Sequence, residues 1–526
     1  MVNNQLLRVL SIGAFLCLMG LSLFSIRHPF VTIENIFQST LVIAAVGLVL
    51  GRGAIWSKPS RAFIPLLVLA LISVPFVALS QAFGSVGVIS LIFHAHFGVE
   101  DAGLAGFGPE IAGGVLLVTY VAFAAYALAN LTGWHKTTYF SATLALFAVS
   151  PMLLFAIRYG TLEEIDSDLH ARIVTPVLVE PAQKPDIIIV YLEGIERAFD
   201  LTAQFGDVFD PLHNYENKGV SFTQVRQVHG TGWSLAGLVS TQCGVPLASR
   251  GLRNIYDFDQ ESDFLEPIHC LSDGLTEMGY QTKLVVGGSQ DFGGFRHFFE
   301  THNIDNVYDR PRIRTLYTEA EYDAAWMAHV VDDQMIFDTA IQLYDQGVAT
   351  DDPMMMIIET YGPHGAASVL SRSCTQTGRA EMAPDPASAV SCTLRDTDRF
   401  LAHVADNRKD RPTVVVLASD HLNHDPVIKA SFRLSERANT VIFFGLGMDS
   451  TVVQPGTVID RPATMMDVYP SLLSFAGFGD ANAQAGLGRS LFGEAPTLIE
   501  EKGFARFDAE IFPNPRLSRV IWGDLD

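Results

Sequence analysis

Five long apolar runs crowd the first 160 residues of this 526-residue chain, and they limit its fold more than any other feature. They cover 6–26, 34–51, 63–82, 111–131 and 138–158. A helix needs about 20 mostly apolar residues to cross a bilayer. The runs therefore imply a five-helix transmembrane domain over 1–160. A cleaved signal peptide would explain the first run but not the four behind it. The stretch 83–110 is apolar but interrupted by glycines, and reads as an interfacial or re-entrant segment.

Lys and Arg in short loops set the orientation. The loop near 52–61 holds Arg52, Lys58 and Arg61, and the loop near 132–137 holds Lys136. The long 83–110 connection holds neither type. Both basic loops, and the N-terminus with them, then face the cytoplasm. Five spans leave everything after Arg158 on the far side of the cytoplasmic membrane.

Charge divides the chain at the same place. Residues 1–160 carry seven Lys/Arg and four Asp/Glu, whereas the remainder carries 28 and 53. An acidic domain repels phosphate backbones, so no nucleic-acid partner is expected. Four of the five cysteines, Cys243, Cys270, Cys374 and Cys392, fall in the acidic part. An even count in an exported domain favours disulfides over free buried thiols. Three pairings are open, and Cys243–Cys270 with Cys374–Cys392 is preferred because each closes a local loop.

Residues 161–185 are polar, contain Pro176, Pro181 and Pro185, and read as a linker. From 186 to 526, short apolar runs alternate with helical patterns. Strands are expected at 186–193, 219–226, 282–287, 354–359, 413–419 and 440–446. Helices are expected at 233–242, 265–278, 320–346, 393–407 and 464–476. Continuously apolar strands between helices indicate an α/β domain whose central, largely parallel sheet is covered on both faces. The tail beyond about 440 is expected to add a small second sheet or C-terminal subdomain.

Ligands of such sheets bind beyond the strands' C-terminal ends. Glu193 ends IIIVYLE, Glu359 ends MMMIIE, and Asp420-His421 ends TVVVLASDH. Any one of these can be an ordinary solvated residue; their convergence is the signal. Between the first two lies HGTGWSLAGLVSTQCGVPL, residues 229–247. It puts Thr231 between two glycines near an expected helix start, where backbone N–H groups can hold an anion. A threonine hydroxyl is a weak nucleophile unless a metal lowers its pKa. Glu193, Asp420, His421 and the Thr231 oxygen would make a four-ligand site. Oxygen donors suit Mn²⁺ or Mg²⁺, and imidazole also suits Zn²⁺.

Weaker candidates surround this set. His364 in ETYGPHG can hold a phosphoryl oxygen or protonate a leaving alkoxide, and can equally be structural. His229 can orient Thr231, and Trp233 can line a pocket or merely pack. Asp291 and Arg296 lie in GGSQDFGGFRHFF; Arg296 can fork onto a phosphate or form a surface ion pair. His424 can support the Asp420-His421 pair from behind.

At these residues the chain resembles the periplasmic phosphoglycerol transferases that modify osmoregulated glucans. More broadly it is similar to lipoteichoic acid synthases and the alkaline phosphatase/sulfatase superfamily. The matching motifs are YLEG ending near Glu193, GTGW around Thr231, STQCGVPL at 240–247, the run around Cys270, SDH at 419–421 and DVYPSLL at 467–473. The resemblance implies Glu193, Thr231, Asp420 and His421 as ligands of a divalent metal, with Mn²⁺ first among the choices. It implies Thr231 as nucleophile toward the head group of phosphatidylglycerol, a membrane lipid. A phosphoglycerol-threonine intermediate would then pass its group to a periplasmic glucan. The implied location is the bacterial inner membrane, with the catalytic domain in the periplasm.

One position departs from the family. A histidine there commonly precedes the proline after the 354–359 strand, whereas this chain has Tyr361-Gly362 before Pro363 and His364 after it. Sulfatases proper use Cys or Ser in a C/S-x-P-x-R context, which Thr231-Gly232-Trp233 lacks. A phosphoethanolamine or other head-group transferase, or a phosphatase, is the alternative within the superfamily. A non-catalytic membrane scaffold is the alternative outside it, and the intact ligand set argues against that.

Overall fold

Strand-end convergence is what the tertiary structure tests. A computed structural model describes Val68 and residues 167–523, apart from 249–263, 328, 366–367, 426–427, 429–430, 433–436, 449–452 and 513. The five apolar runs lie outside the described residues, Val68 excepted. Among the described residues no helix is long and apolar enough to cross a membrane.

In chain order the elements that build the site are β1 (Asp186–Tyr191), β2 (Val220–Phe222), α1 (Ser234–Cys243), α2 (Leu271–Glu277), β3 (Gln281–Val286), β4 (Asn306–Tyr308), α3 (Asp333–Val348), β5 (Met354–Glu359), α4 (Pro386–Asn407), β6 (Thr413–Ala418), β7 (Val441–Leu446), β8 (Thr457–Ile459), α5 (Val468–Ala476) and α6 (Phe504–Ile511). The eight strands form one sheet in the order β8-β2-β7-β6-β1-β5-β3-β4. Strands β6, β1, β5, β3 and β4 run parallel. Strand β7 pairs antiparallel with both β6 and β2. The sheet is therefore mostly parallel, as the apolar runs imply.

Side chains of β1 alternate between two cores. Ile187, Ile189 and Tyr191 join one cluster, with α1, α2 and α5 over it. Ile188 and Val190 join the other, under α3 and α4. A strand buried on both faces has no polar side to show, which is why β1, β5 and β6 read as unbroken apolar runs. Burying each such side chain contributes about 1.5–3 kcal/mol. Helix α4 starts at Pro386 behind Asp385, whose side chain accepts from Ser388 N–H (2.8 Å). Helix α1 ends at Gly244, whose positive φ of 68° closes the last turn.

Three expectations are refined. The region beyond 440 adds small two-stranded sheets, Ala463–Thr464 with Val225–Arg226 and Gln484–Ala485 with Gly488–Arg489, but is not a separate subdomain. Strand β7 enters the main sheet, α5 packs against α1, and the C-terminal helices share the α1-side core. The described residues from Ser167 onward belong to one compact unit. The expected 320–346 helix is two helices, Glu319–Ala325 and α3, split by the short hairpin of Trp326–Met327 and Val330–Val331. The described part of the expected linker is fastened down. Leu169 is fully buried, Val174 bridges Gly486, and Tyr280 donates to the Pro185 carbonyl at 2.7 Å. Prolines and exposed polar residues mark a segment without regular structure, which is not the same as a segment without contacts.

Both preferred disulfides are present, Cys243–Cys270 and Cys374–Cys392. The first ties the end of α1 to the residue before α2.

Candidate metal and phosphoryl-transfer site

Neighbouring parallel strands deliver three acids to one edge. Register sets Tyr191 of β1 beside Ala418 of β6 on one side and Glu359 of β5 on the other. Glu193, Glu359 and Asp420-His421 follow from those positions at the same end of the sheet. All four are buried. Ligand atoms of Glu193, Asp420 and His421 lie within 4.8 Å of one another.

Each of these side chains is held. Gly194, at φ 60°, turns the chain after β1 and sends its N–H to Asp420 Oδ1 (2.9 Å). A side chain there would be strained and would also press Asn423. His421 N–H donates to the same oxygen (2.9 Å). His421 Nδ1 meets the Leu422 carbonyl at 2.9 Å, so that nitrogen donates and Nε2 is turned to the acids. Nε2 stands 3.1 Å from Asp420 Oδ2 and 3.3 Å from Glu193 Oε1. Fixing one imidazole nitrogen on a carbonyl is how proteins aim the other at a metal. Behind the loop, Arg437 pairs with buried Glu196 (2.8 Å) and donates to the Asn423 carbonyl (2.6 Å). Asn423 in turn bridges the carbonyls of Gly194 and Pro363 (both 3.1 Å).

The charges fit a cation. Burial raises Glu193 and the Asp420 charge adds to it, against the pull of His421, so that it is pushed up to about 7. Glu359 is raised well above the carboxylate range by burial, then by Asp420 and Glu193. Burial opposes charging His421, but Asp420 and Glu193 outweigh it and push it up to about 10. Asp420 Oδ2 and Glu359 Oε2 are buried and accept no hydrogen bond. Carboxylates are costly to bury unless a charge or donors compensate. Two oxygens and one imidazole nitrogen are the donors a divalent ion takes.

The Thr231 segment borders this group. Helix α1 starts at Ser234, three residues beyond Thr231, with Trp233 in extended conformation as its cap. Ser234 Oγ lies 3.4 Å from Glu193 Oε2. His424 Nε2 meets the Gly232 carbonyl at 3.1 Å, and its ring centroid is 4.5 Å from that of His421. A Cβ on Gly237 would fall 1.8 Å from the Asp420 carbonyl oxygen, so α1 sits directly on the β6 end. Thr231 is itself fully buried. Its hydroxyl accepts from Val228 N–H (3.1 Å) and donates to the Val228 carbonyl (2.9 Å).

The outer candidates go elsewhere. His229 pairs with Asp508 of α6 (2.8 Å). Arg296 pairs with Asp291 and, at 3.9 Å, Glu300, at an exposed position. His364 stacks on Tyr361, with centroids 4.4 Å apart at 10°, and Tyr361 Oη meets His329 Nε2 at 2.6 Å. Burial, then His329 and His421, lower His364 to about 3 and keep it neutral. Asp333 holds this loop by accepting from the N–H groups of Tyr361 (2.7 Å) and Gly362. Sequence reading did not find Ser234, Asn423, Arg437, Asp333 or His329. Ser234 alone carried a signal, as a hydroxyl at the first position of the helix after Thr231.

The family model described as sulfatase matches residues 185–478, more than half of the chain. A phosphoglycerol transferase I from Xanthomonas campestris pv. campestris is 27% identical over 345 residues, covering 64% of this chain and 48% of the relative. The chain thus spans about half the length of that curated relative. Among solved structures, a protein in the alkaline phosphatase superfamily from Vibrio parahaemolyticus aligns with a TM-score of 0.49 at 17% identity, over 66% of this chain and 79% of the other. The lipoteichoic acid synthase LtaP from Listeria monocytogenes aligns with a TM-score of 0.46 at 15% identity, over 59% and 76%.

Proposed function

The chain belongs to the sulfatase family, and from that premise we propose that residues 186–526 transfer phosphoglycerol from phosphatidylglycerol to a periplasmic glucan. The carrying observation is the meeting of Glu193, Asp420 and His421 at adjacent strand ends, with the Thr231–Ser234 segment against them. In this reading those three side chains and Thr231 hold a divalent cation, Mn²⁺ first and Mg²⁺ or Zn²⁺ by the same donors. When bound, such an ion supplies Lewis acidity, lowering a hydroxyl's pKa and neutralising phosphoryl charge.

Thr231 leaves its turn with Val228 and bonds through Oγ1 to the phosphorus of the head group. The bond from phosphorus to the diacylglycerol oxygen breaks, and diacylglycerol leaves as an alcohol carrying the threonine proton. A glucan hydroxyl then bonds to phosphorus, Thr231 Oγ1 departs and regains a proton, and the phosphoglycerol is transferred. His364, being neutral, serves as a hydrogen-bond partner of a phosphoryl oxygen rather than as an acid. Trp233 lines the approach to Thr231. Arg296 reaches a phosphate only by giving up Asp291. In this reading residues 1–160 span the inner membrane, 161–185 join them to the catalytic domain, and the donor is a lipid of that membrane.

The test feeds the purified full chain with phosphatidylglycerol labelled in its head group. Labelled protein, free diacylglycerol and labelled glucan are expected, and Thr231→Ala abolishes all three. Labelling from phosphatidylethanolamine alone would replace this reading with the phosphoethanolamine one. Release of the label as free phosphate or glycerophosphate, without acceptor, would make the protein a hydrolase.

A further inference from the structure

Three carboxylates stand at the strand ends, and the mechanism uses two. Glu359 has no part in it. It closes β5 at 4% exposure, paired in register with Tyr191, two residues before Glu193. Ser234 Oγ reaches both Glu193 Oε2 (3.4 Å) and the Glu359 carboxylate. A hydroxyl has a single proton, so it cannot donate to both acids at once. Glu359 Oε2 is left buried with no hydrogen bond, as is Asp420 Oδ2. The charges that act most on Glu359 are Asp420 and Glu193, which repel it, and His421, which attracts it.

We propose that Glu359 is a further cation-holding residue of this centre, a third buried carboxylate beside the group formed by Glu193, Asp420 and His421 but outside the set whose ligand atoms lie within 4.8 Å of one another. The inference rests on reading that group as a cation site. A buried carboxylate with one oxygen unbonded, the other sharing its donor with Glu193, and two like charges beside it needs either a proton or a cation. A third carboxylate beside the site strengthens the attraction for a divalent ion without having to bind it directly. It also couples β5 to the site, so the ion binds three neighbouring strands together rather than two.

The protonated alternative is directly testable, because glutamine mimics a neutral Glu359 in size and in its contact with Ser234. The full chain is stripped with a chelator and titrated with Mn²⁺ by calorimetry, and thermal unfolding is followed with and without the metal. Glu359→Gln is expected to bind Mn²⁺ roughly 10–100-fold more weakly than wild type. Without metal it is expected to melt higher than wild type, because the repulsion is gone; at a fixed Mn²⁺ concentration it gains less. Glu359→Asp keeps the charge one methylene further back and is expected to lose less affinity than the glutamine variant.

Equal affinity of wild type and Glu359→Gln, within twofold, overturns the inference and leaves the cation reading intact. So does a lower melting point of Glu359→Gln without metal, which makes the carboxylate a structural partner of Ser234. Equal loss in the aspartate and glutamine variants removes the charge argument. A wild-type chain that takes up no Mn²⁺, Mg²⁺ or Zn²⁺ overturns both this inference and the site reading beneath it.

Discussion

Strand ends and loops contribute to this site in different ways. Glu193, Glu359 and Asp420 follow directly from β1, β5 and β6, whose register sets their relative heights. Thr231 and His364 stand on loops and Arg296 on the first turn of the short helix Phe295–Thr301, at the edge of a loop, and each side chain has local partners. Thr231 turns to Val228, His364 stacks on Tyr361, and Arg296 pairs with Asp291. A position in a paired sheet is dictated by neighbours the strand must have. A loop side chain is placed by whichever local hydrogen bond wins. The strand-end set is accordingly rigid and prepared, while the loop set must exchange partners to act.

The largest expected effects come from the rigid set. Asp420→Ala and His421→Ala should lose divalent-ion binding and slow transfer on the order of 10³-fold or more, since Lewis-acid stabilisation is worth several kcal/mol. Metal analysis alongside the rate assay checks this, and a variant with full metal content and full rate breaks the comparison. Next is the support behind the loop. Arg437→Met strands buried Glu196 and should destabilise by about 3–5 kcal/mol in urea unfolding.

Packing of α1 on the β6 end ranks third. Gly237→Ala forces a methyl group against the Asp420 carbonyl and should destabilise by about 1–3 kcal/mol. It should also weaken Mn²⁺ binding; unchanged affinity would mean that α1 does not position Asp420. Cutting the α1 tether with Cys243→Ala/Cys270→Ala should cost roughly 2–4 kcal/mol. The smallest effect belongs to the exposed Arg296–Asp291 pair. Arg296→Ala should change stability by about 0–1 kcal/mol, as exposed ion pairs do. A rise in KM for the lipid donor at unchanged stability would sharpen the comparison by giving Arg296 a role in binding.

Much of the strand-end set is legible in the sequence. Apolar runs long enough for a buried strand, each closed by an acid or by Asp-His, are a local pattern that parallel pairing turns into a site. The meeting of Glu193, Asp420 and His421 follows from it, and both disulfide pairings from loop closure. Side-chain partners outside the strands are not legible there. Nothing in the letters around 291–296 chooses between a phosphate and Asp291 for Arg296. Nothing near Thr231 shows that Val228 takes its hydroxyl. The same holds for the Arg437–Glu196 support, whose members are 241 residues apart.

Composition and periodicity by themselves determined the α/β class, the division at about residue 160 in charge and hydropathy, and the residues that end the central strands. Those properties depend on each segment's own pattern, since a strand buried on both faces must be apolar throughout. Tertiary structure alone decided that β7 runs against its neighbours and that the C-terminal helices join the main core. It alone decided that residues 167–185 are strapped down and that Ser234 stands between Glu193 and Glu359. Each of these is a contact between segments distant in sequence. Its energy depends on what else needs burying or pairing, which no single segment encodes.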